Sequence, residues 1–336
     1  DWVDIFVKEI PSGRELSDKI SWVKFSGADW AADSKGFYYS AYDAPEKGSE
    51  LSGQNQYQKV YYHALGTPQS SDKLIYSDNL HPLRYFNGAD DGDKGKWLFV
   101  YGSEGTHGTE VLFKQKNSSA AFKVLFPGFM HDYEIVRTQG DIAYVYTNDK
   151  APNYRLATID LREPGKGMTD VIPEDKGRLL SGATFAGGYL FAHYMEDAQV
   201  KVYQHKYDGT LVRPVELPAI GSAGGFSTKE EDKTAFYSFS NFTTPATVYK
   251  YDVETGVSEK YFEPKLRYNP NEFTSEQIFF TSKDGTRVPM FVVHRKDIKL
   301  DGNNPAYMYG YGGFNSGRTP GFSLTALSVI EQGGVY

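Results

Sequence analysis

The stretch Tyr309-Gly310-Tyr311-Gly312-Gly313-Phe314-Asn315 sets three glycines, three aromatic rings and an amide within seven residues. Glycine lets a backbone turn tightly and come close to another group. Tyr311, in the middle, offers a phenolic hydroxyl that can donate a hydrogen bond. On residue types alone, a tyrosine packed beside a structural turn is the commoner use of such a residue. Asn315 is weaker still, because turn asparagines usually bond their own backbone. The other chemistry-bearing groups are sparse. There is no cysteine, which excludes disulfides, thiolate nucleophiles and cysteine-based metal sites. No Gly-x-Ser-x-Gly elbow occurs; Gly102-Ser103-Glu104-Gly105 and Gly313-Phe314-Asn315-Ser316-Gly317 have the wrong spacing. Asp90-Asp91-Gly92-Asp93 lacks the remaining ligands of a calcium loop and reads as a solvated turn. Asn117-Ser118-Ser119 and Asn241-Phe242-Thr243 fit the glycosylation sequon, a frequent chance match. Of the seven histidines, His63, His193 and His205 sit in strand-like runs and read as structural, while His294, beside Arg295-Lys296, is expected to face solvent.

The elements around these residues repeat. A short aromatic strand recurs as Gly36-Phe37-Tyr38-Tyr39-Ser40, Lys96-Trp97-Leu98-Phe99-Val100-Tyr101, Ile142-Ala143-Tyr144-Val145-Tyr146, Tyr189-Leu190-Phe191-Ala192-His193 and Thr234-Ala235-Phe236-Tyr237-Ser238. A second strand follows each copy: Lys59 to His63, Glu110 to Lys114, Tyr154 to Thr158, Lys201 to His205 and Thr247 to Tyr251. Successive copies lie roughly 45–55 residues apart, the spacing of a four-stranded propeller blade. One four-stranded sheet cannot bury both faces, and stacking gives each face a neighbour. An orphan second strand, Trp2 to Val7, opens the chain, so the count is about five and a half blades over residues 1–264. The N-terminal part of the ring is expected to precede Asp1.

After Pro264 the pattern changes. Ser275 to Thr281 and Arg287 to Val293 read as two strands joined by a Lys283-Asp284-Gly285 turn. The apolar strand Ala306 to Tyr309 enters the glycine turn. Ser323 to Gln332 then reads as a helix with Leu324, Leu327 and Ile330 as its apolar stripe, stopped by Gly333-Gly334. Val335-Tyr336 looks like the start of another strand. Strand, turn, helix, strand is the opening of an α/β domain, here residues 265–336.

The composition fits a mainly β protein: 15% of its 336 residues are aromatic, with 26 Tyr and 22 Phe, and 34 are Gly. The net charge is -7 with no Lys/Arg-rich run, which disfavours nucleic acid as a partner. No apolar run is long enough to span a bilayer, and cytoplasm and periplasm are both open.

Tyr309 to Asn315 resembles the signature at the start of the hydrolase domain in the prolyl oligopeptidase family. Ser282 to Thr286, Pro289 to His294 and Lys299-Leu300-Asp301-Gly302 lead into it in the family's order. Trp22 to Ser26, Lys59 to Thr67 and Pro152 to Leu156 resemble its blade segments. The likeness covers essentially the whole chain and is stronger than to oligopeptidase B or the dipeptidyl peptidases. It implies a seven-bladed β-propeller followed by the start of an α/β-hydrolase domain. The activity implied is a cofactor-free, metal-free serine endopeptidase cleaving short peptides on the carboxyl side of proline, with the propeller restricting access. By the same resemblance Tyr311 completes the oxyanion hole and Phe314 lines the proline pocket, with Asn315 beside it. The Ser-Asp-His triad would follow the glycine turn, in the remainder of the peptidase domain or a second chain, so none of the seven histidines is the catalytic one and this chain alone is expected to be inactive. The rival expectation is a non-catalytic propeller that binds a peptide or protein.

Overall fold

The computed structural model describes residues 1–90, 92, 94–313 and 317–336. They form two compact units, Asp1–Pro152 with Leu156–Asp170, and Asn153–Arg155 with Val171–Tyr336. The fold is a β-propeller with five blades.

The first sheet has five strands in chain order: β1 (Val3–Lys8), β2 (Glu15–Trp30), β3 (Gly36–Ala41), β4 (Lys59–Ala64) and β5 (Lys73–Ser77). The second comprises β6 (Tyr85–Asp90), β7 (Trp97–Ser103), β8 (Glu110–Gln115) and β9 (Lys123–Phe126). The third comprises β10 (Tyr133–Gln139), β11 (Ile142–Thr147), β12 (Arg155–Asp160) and β13 (Thr169–Ile172). The orphan strand expected as half of a further blade is instead the edge of the first sheet. Its partner β2 is 16 residues long and serves two strands. Residues Glu15 to Val23 pair with β1, while Val23 and then Ala28 to Trp30 pair with β3. Positive φ angles at Trp22 and Phe25 mark the bend between the two stretches.

The pleat explains why these strands read as unbroken aromatic runs. Successive residues point to opposite faces, and both faces are covered. Leu98 and Val100 of β7 join Tyr38, Val60 and Phe86 on one side. Trp97 and Phe99 join Tyr133, Ile135 and Val145 on the other. Each such side chain contributes about 1.5–3 kcal/mol by leaving water.

In the second unit, the fourth sheet is β14 (Leu179–Ala186), β15 (Tyr189–Glu196), β16 (Gln199–His205) and β17 (Leu211–Pro214). The fifth is β18 (Ser222–Ser227), β19 (Thr234–Ser240), β20 (Thr247–Asp252) and β21 (Ser258–Phe262). Their facing sides share a core of Phe191, Val202, Phe226, Tyr237 and Tyr251. Within blades a regularity emerges. The central pairs β3–β4, β7–β8, β15–β16 and β19–β20 run without a register shift. The pairs flanking them slip, between Phe86 and Ala89 or Gly225 and Ser227 for example. Bulges of this kind bend a strand and raise its twist. Gly225 adopts φ +115°, and a Cβ there would sit 2.9 Å from the Phe236 carbonyl oxygen, so the slip requires glycine.

A two-stranded hairpin follows, β22 (Phe273–Thr281) and β23 (Arg287–Arg295). Its turn places Gly285 at φ +87°, with the Ser282 amide donating to Thr286 O at 2.8 Å. Helix α1 (Leu324–Glu331) is capped by Ser323, whose Oγ accepts from the Ala326 amide at 3.1 Å. The helix buries Ala326, Leu327 and Ile330. Leu324, expected in the apolar stripe, is 69% exposed, because as the first helical residue it lies beyond the covered turn. The expected strand from Ala306 to Tyr309 is reduced to one parallel bridge between Ala306 and Val335. Val335 exchanges backbone hydrogen bonds with Pro305 and Tyr307, while Tyr336 exchanges both with Val293. Residues 335–336 therefore lie between β23 and residues 305–307, and α1 connects two parallel segments.

Candidate active site

Residues 305–307 are fixed by their bridge, and the Tyr307 ring stacks on Tyr336 at 5.9 Å and 14°. Beyond this anchor the chain becomes open. Tyr309 and Tyr311 are 50% and 52% exposed. The Tyr311 hydroxyl has no hydrogen-bond partner among the described residues. A cavity of about 900 Å³ lies alongside, lined by Phe242, Met290, Phe291, Tyr309, Tyr311 and Arg318 among others. Its wall is held by the hairpin, since Phe242 packs on Phe291 at 5.5 Å and on Tyr336 at 5.9 Å. Burial pushes the Tyr336 phenol up, and charge on Tyr307 and Tyr309 adds to the shift.

The glycines of this turn are not explained by local conformation. Gly310, Gly312 and Gly313 are absent from the positive-φ residues, and a Cβ on Gly310 or Gly312 would meet nothing within 4 Å. Arg318 was not singled out from the sequence, where a lone cation among Gly, Thr and Pro gives no signal. In the fold its Nη2 donates to Tyr309 Oη at 2.6 Å, and its guanidinium lies against both Tyr309 and Tyr311. Phe314 and Asn315 lie outside the described residues.

The histidines are engaged elsewhere. His63 is fully buried, with Nδ1 2.7 Å from Asp72 Oδ1 and Nε2 3.0 Å from Asp18 Oδ1. Tyr39 Oη donates to Asp72 Oδ2 at 2.7 Å, closing a buried polar network within the first sheet. Sequence reasoning placed His63 in a strand but missed the network, because Asp18 lies 45 residues away. Burial lowers His193 to about 4. Burial likewise lowers His205, whose Nδ1 meets Gly209 O at 2.9 Å. His294 is 7% exposed rather than solvent-facing. The hairpin end is covered on both faces, with Val293 buried against α1 and His294 on the other side. Of the acidic run, Asp91 and Asp93 lie outside the described residues, while Asp90 accepts from the Gly92 amide and from Tyr101 Oη. Among the described residues no cluster of three potential metal ligands occurs. No helix among them is long and apolar enough to cross a membrane. Asn241 Oδ1 is used within its own turn, accepting from Thr243 and Thr244.

Comparison with known proteins places this geometry. The family profile described as "Prolyl oligopeptidase, N-terminal beta-propeller domain" matches residues 1–264. A prolyl endopeptidase of Elizabethkingia meningoseptica is 41% identical over 337 residues, which covers 100% of this chain and 47% of the relative. A structure from a study of two prolyl endopeptidases superposes with TM-score 0.90 at 36% identity, covering 100% of this chain and 49% of that one. Prolyl oligopeptidase B from Galerina marginata, bound to a 35mer hydrolysis and macrocyclization substrate, superposes with TM-score 0.89 at 30% identity and the same coverage. The chain thus spans about half the length of the relatives it matches. It belongs to the prolyl oligopeptidase family.

Proposed function

We propose that the complete protein is a serine endopeptidase that cleaves short peptides on the carboxyl side of proline. The match of the whole chain to proteins named prolyl endopeptidase carries this reading. It does not favour a non-catalytic binding module. In this reading residues 1–264 are propeller, with further blades supplied by sequence outside these residues to make seven. The propeller restricts entry to the buried site. Residues 265–336 begin the α/β-hydrolase domain, a role that suits the two parallel segments joined through α1. The serine, aspartate and histidine come from the remainder of the protein, and no cofactor takes part.

Within that scheme Tyr311 donates its hydroxyl to the scissile carbonyl oxygen as the serine attacks and negative charge grows there. Its hydroxyl, uncommitted among the described residues and on the cavity wall, supports the role. Gly310 and Gly312, unneeded by the fold, leave room for a substrate backbone. Phe314 packs on the pyrrolidine ring and Asn315 borders it. In the full-length protein Tyr311→Phe is expected to lower kcat on a proline-containing peptide about 100-fold or more, with little change in KM. A variant as fast as the parent would remove Tyr311 from the mechanism. Residues 1–336 alone are expected to cleave nothing; measurable post-proline cleavage by that chain would sink the assignment of the triad to other sequence.

A further inference from the structure

Tyr309 and Tyr311 stand two residues apart, the spacing that sends side chains to one side of an extended chain. Arg318, seven residues beyond Tyr311, reaches back to both. Its Nη2 donates to Tyr309 Oη at 2.6 Å. Its guanidinium carbon lies 5.0 Å from the Tyr309 ring centre and 5.3 Å from that of Tyr311. Among the described residues it forms no ion pair with a carboxylate. An exposed arginine in this position is not required by the fold, since the core beneath is made by Phe273, Val293, Leu327 and Ile330. What it does do is join the two rings. Arginine suits that task because its planar group stacks on one aromatic face while its rigid fork bonds a neighbouring oxygen.

We infer that Arg318 is a positioning residue for Tyr311: tethered to Tyr309, it holds the Tyr311 ring so that the hydroxyl meets the reacting carbonyl. A preorganised donor of this kind acts on the transition state more than on the bound substrate. The inference rests on the oxyanion reading of Tyr311.

The test is steady-state kinetics of the full-length protein on a proline-containing peptide, with Arg318→Met, Arg318→Lys, Tyr311→Phe and the double variant Arg318→Met with Tyr311→Phe. Arg318→Met is expected to lower kcat about tenfold with KM within about twofold, and without a change in thermal midpoint. Arg318→Lys, which keeps a cation against the rings, recovers most of that loss. In the Tyr311→Phe background the arginine change costs less than about twofold, because its effect passes through the missing hydroxyl. A full tenfold loss in that background, or no loss in the parent, overturns the inference. If Tyr311→Phe loses activity and Arg318→Met does not, only the arginine role falls. If Tyr311→Phe keeps its activity, the reading of Tyr311 itself fails and this inference with it.

Discussion

Strands β15 and β19 hold the same place, second in order, in two sheets that share a core, yet they are buried differently. Every residue of β15 from Leu190 to Tyr194 is buried. In β19 burial alternates: Ala235, Tyr237 and Phe239 are inside, while Thr234, Phe236 and Ser238 are exposed. The cause is the number of covered faces. β15 is packed on both sides, whereas the outer side of β19 carries Phe236 against the exposed ring of Tyr261, with Lys250 above it at 4.7 Å. A strand's sequence therefore reports its neighbours as much as its own backbone. An unbroken apolar run records two covers, and alternation records one.

That contrast can be tested in order of expected effect. Phe191 stacks on Phe226 at 5.0 Å and meets Tyr251 edge-on at 5.6 Å. Phe191→Ala is expected to cost about 3–5 kcal/mol in denaturant unfolding. In residues 1–336 alone, the equivalent Phe236→Ala on the open face should cost less than about 1 kcal/mol. Equal losses would break the comparison, by showing that the outer face of β19 is covered after all.

The next effect is a pH dependence carried by the doubly covered strand. Burial holds His193 near pKa 4 against an ordinary 6.5. Below pH 6.5 the unfolded chain takes up a proton that the folded state refuses, so stability falls as pH drops from about 6.5 towards 4. Below 4 both states are protonated and this contribution stops changing. The full span is on the order of 3 kcal/mol. His193→Gln, which keeps a polar atom towards Thr184, should flatten that part of the profile; an unaltered slope would show that other groups set it. Smaller again is the cap of α1: Ser323→Ala is expected to cost about 1 kcal/mol, read as a lowered thermal midpoint.

The two central strands of each blade were legible in the sequence for the reason β15 illustrates. Aromatic and β-branched residues crowd a strand that is covered on both faces, and their regular pairing keeps copies alike. The outer strands were not legible. β17 is four residues, Leu211–Pro214, with no buried side chain, and β18 has one buried apolar residue, Phe226, beside two glycines. Bulged, short and partly exposed, they lack periodicity. The glycine turn was visible from composition, and helix α1 from its stop signals. Arg318 was not, since its importance depends on which rings the fold brings against it. His294 misled for the opposite reason: its charged neighbours in sequence say nothing about the cover supplied from elsewhere.

The order of segments beside β23 has a consequence for how this part of the molecule assembles. Of the three segments the latest-made, residues 335–336, is inserted between two made earlier, β23 and residues 305–307. The hairpin β22–β23 can close locally, within microseconds of its synthesis. Residues 305–307 have no edge to join until α1 has formed and Val335 has come into place. On a ribosome, the turn bearing Tyr311 would therefore stay untethered until the chain beyond it had emerged, so that this corner is completed late and from the inside outwards.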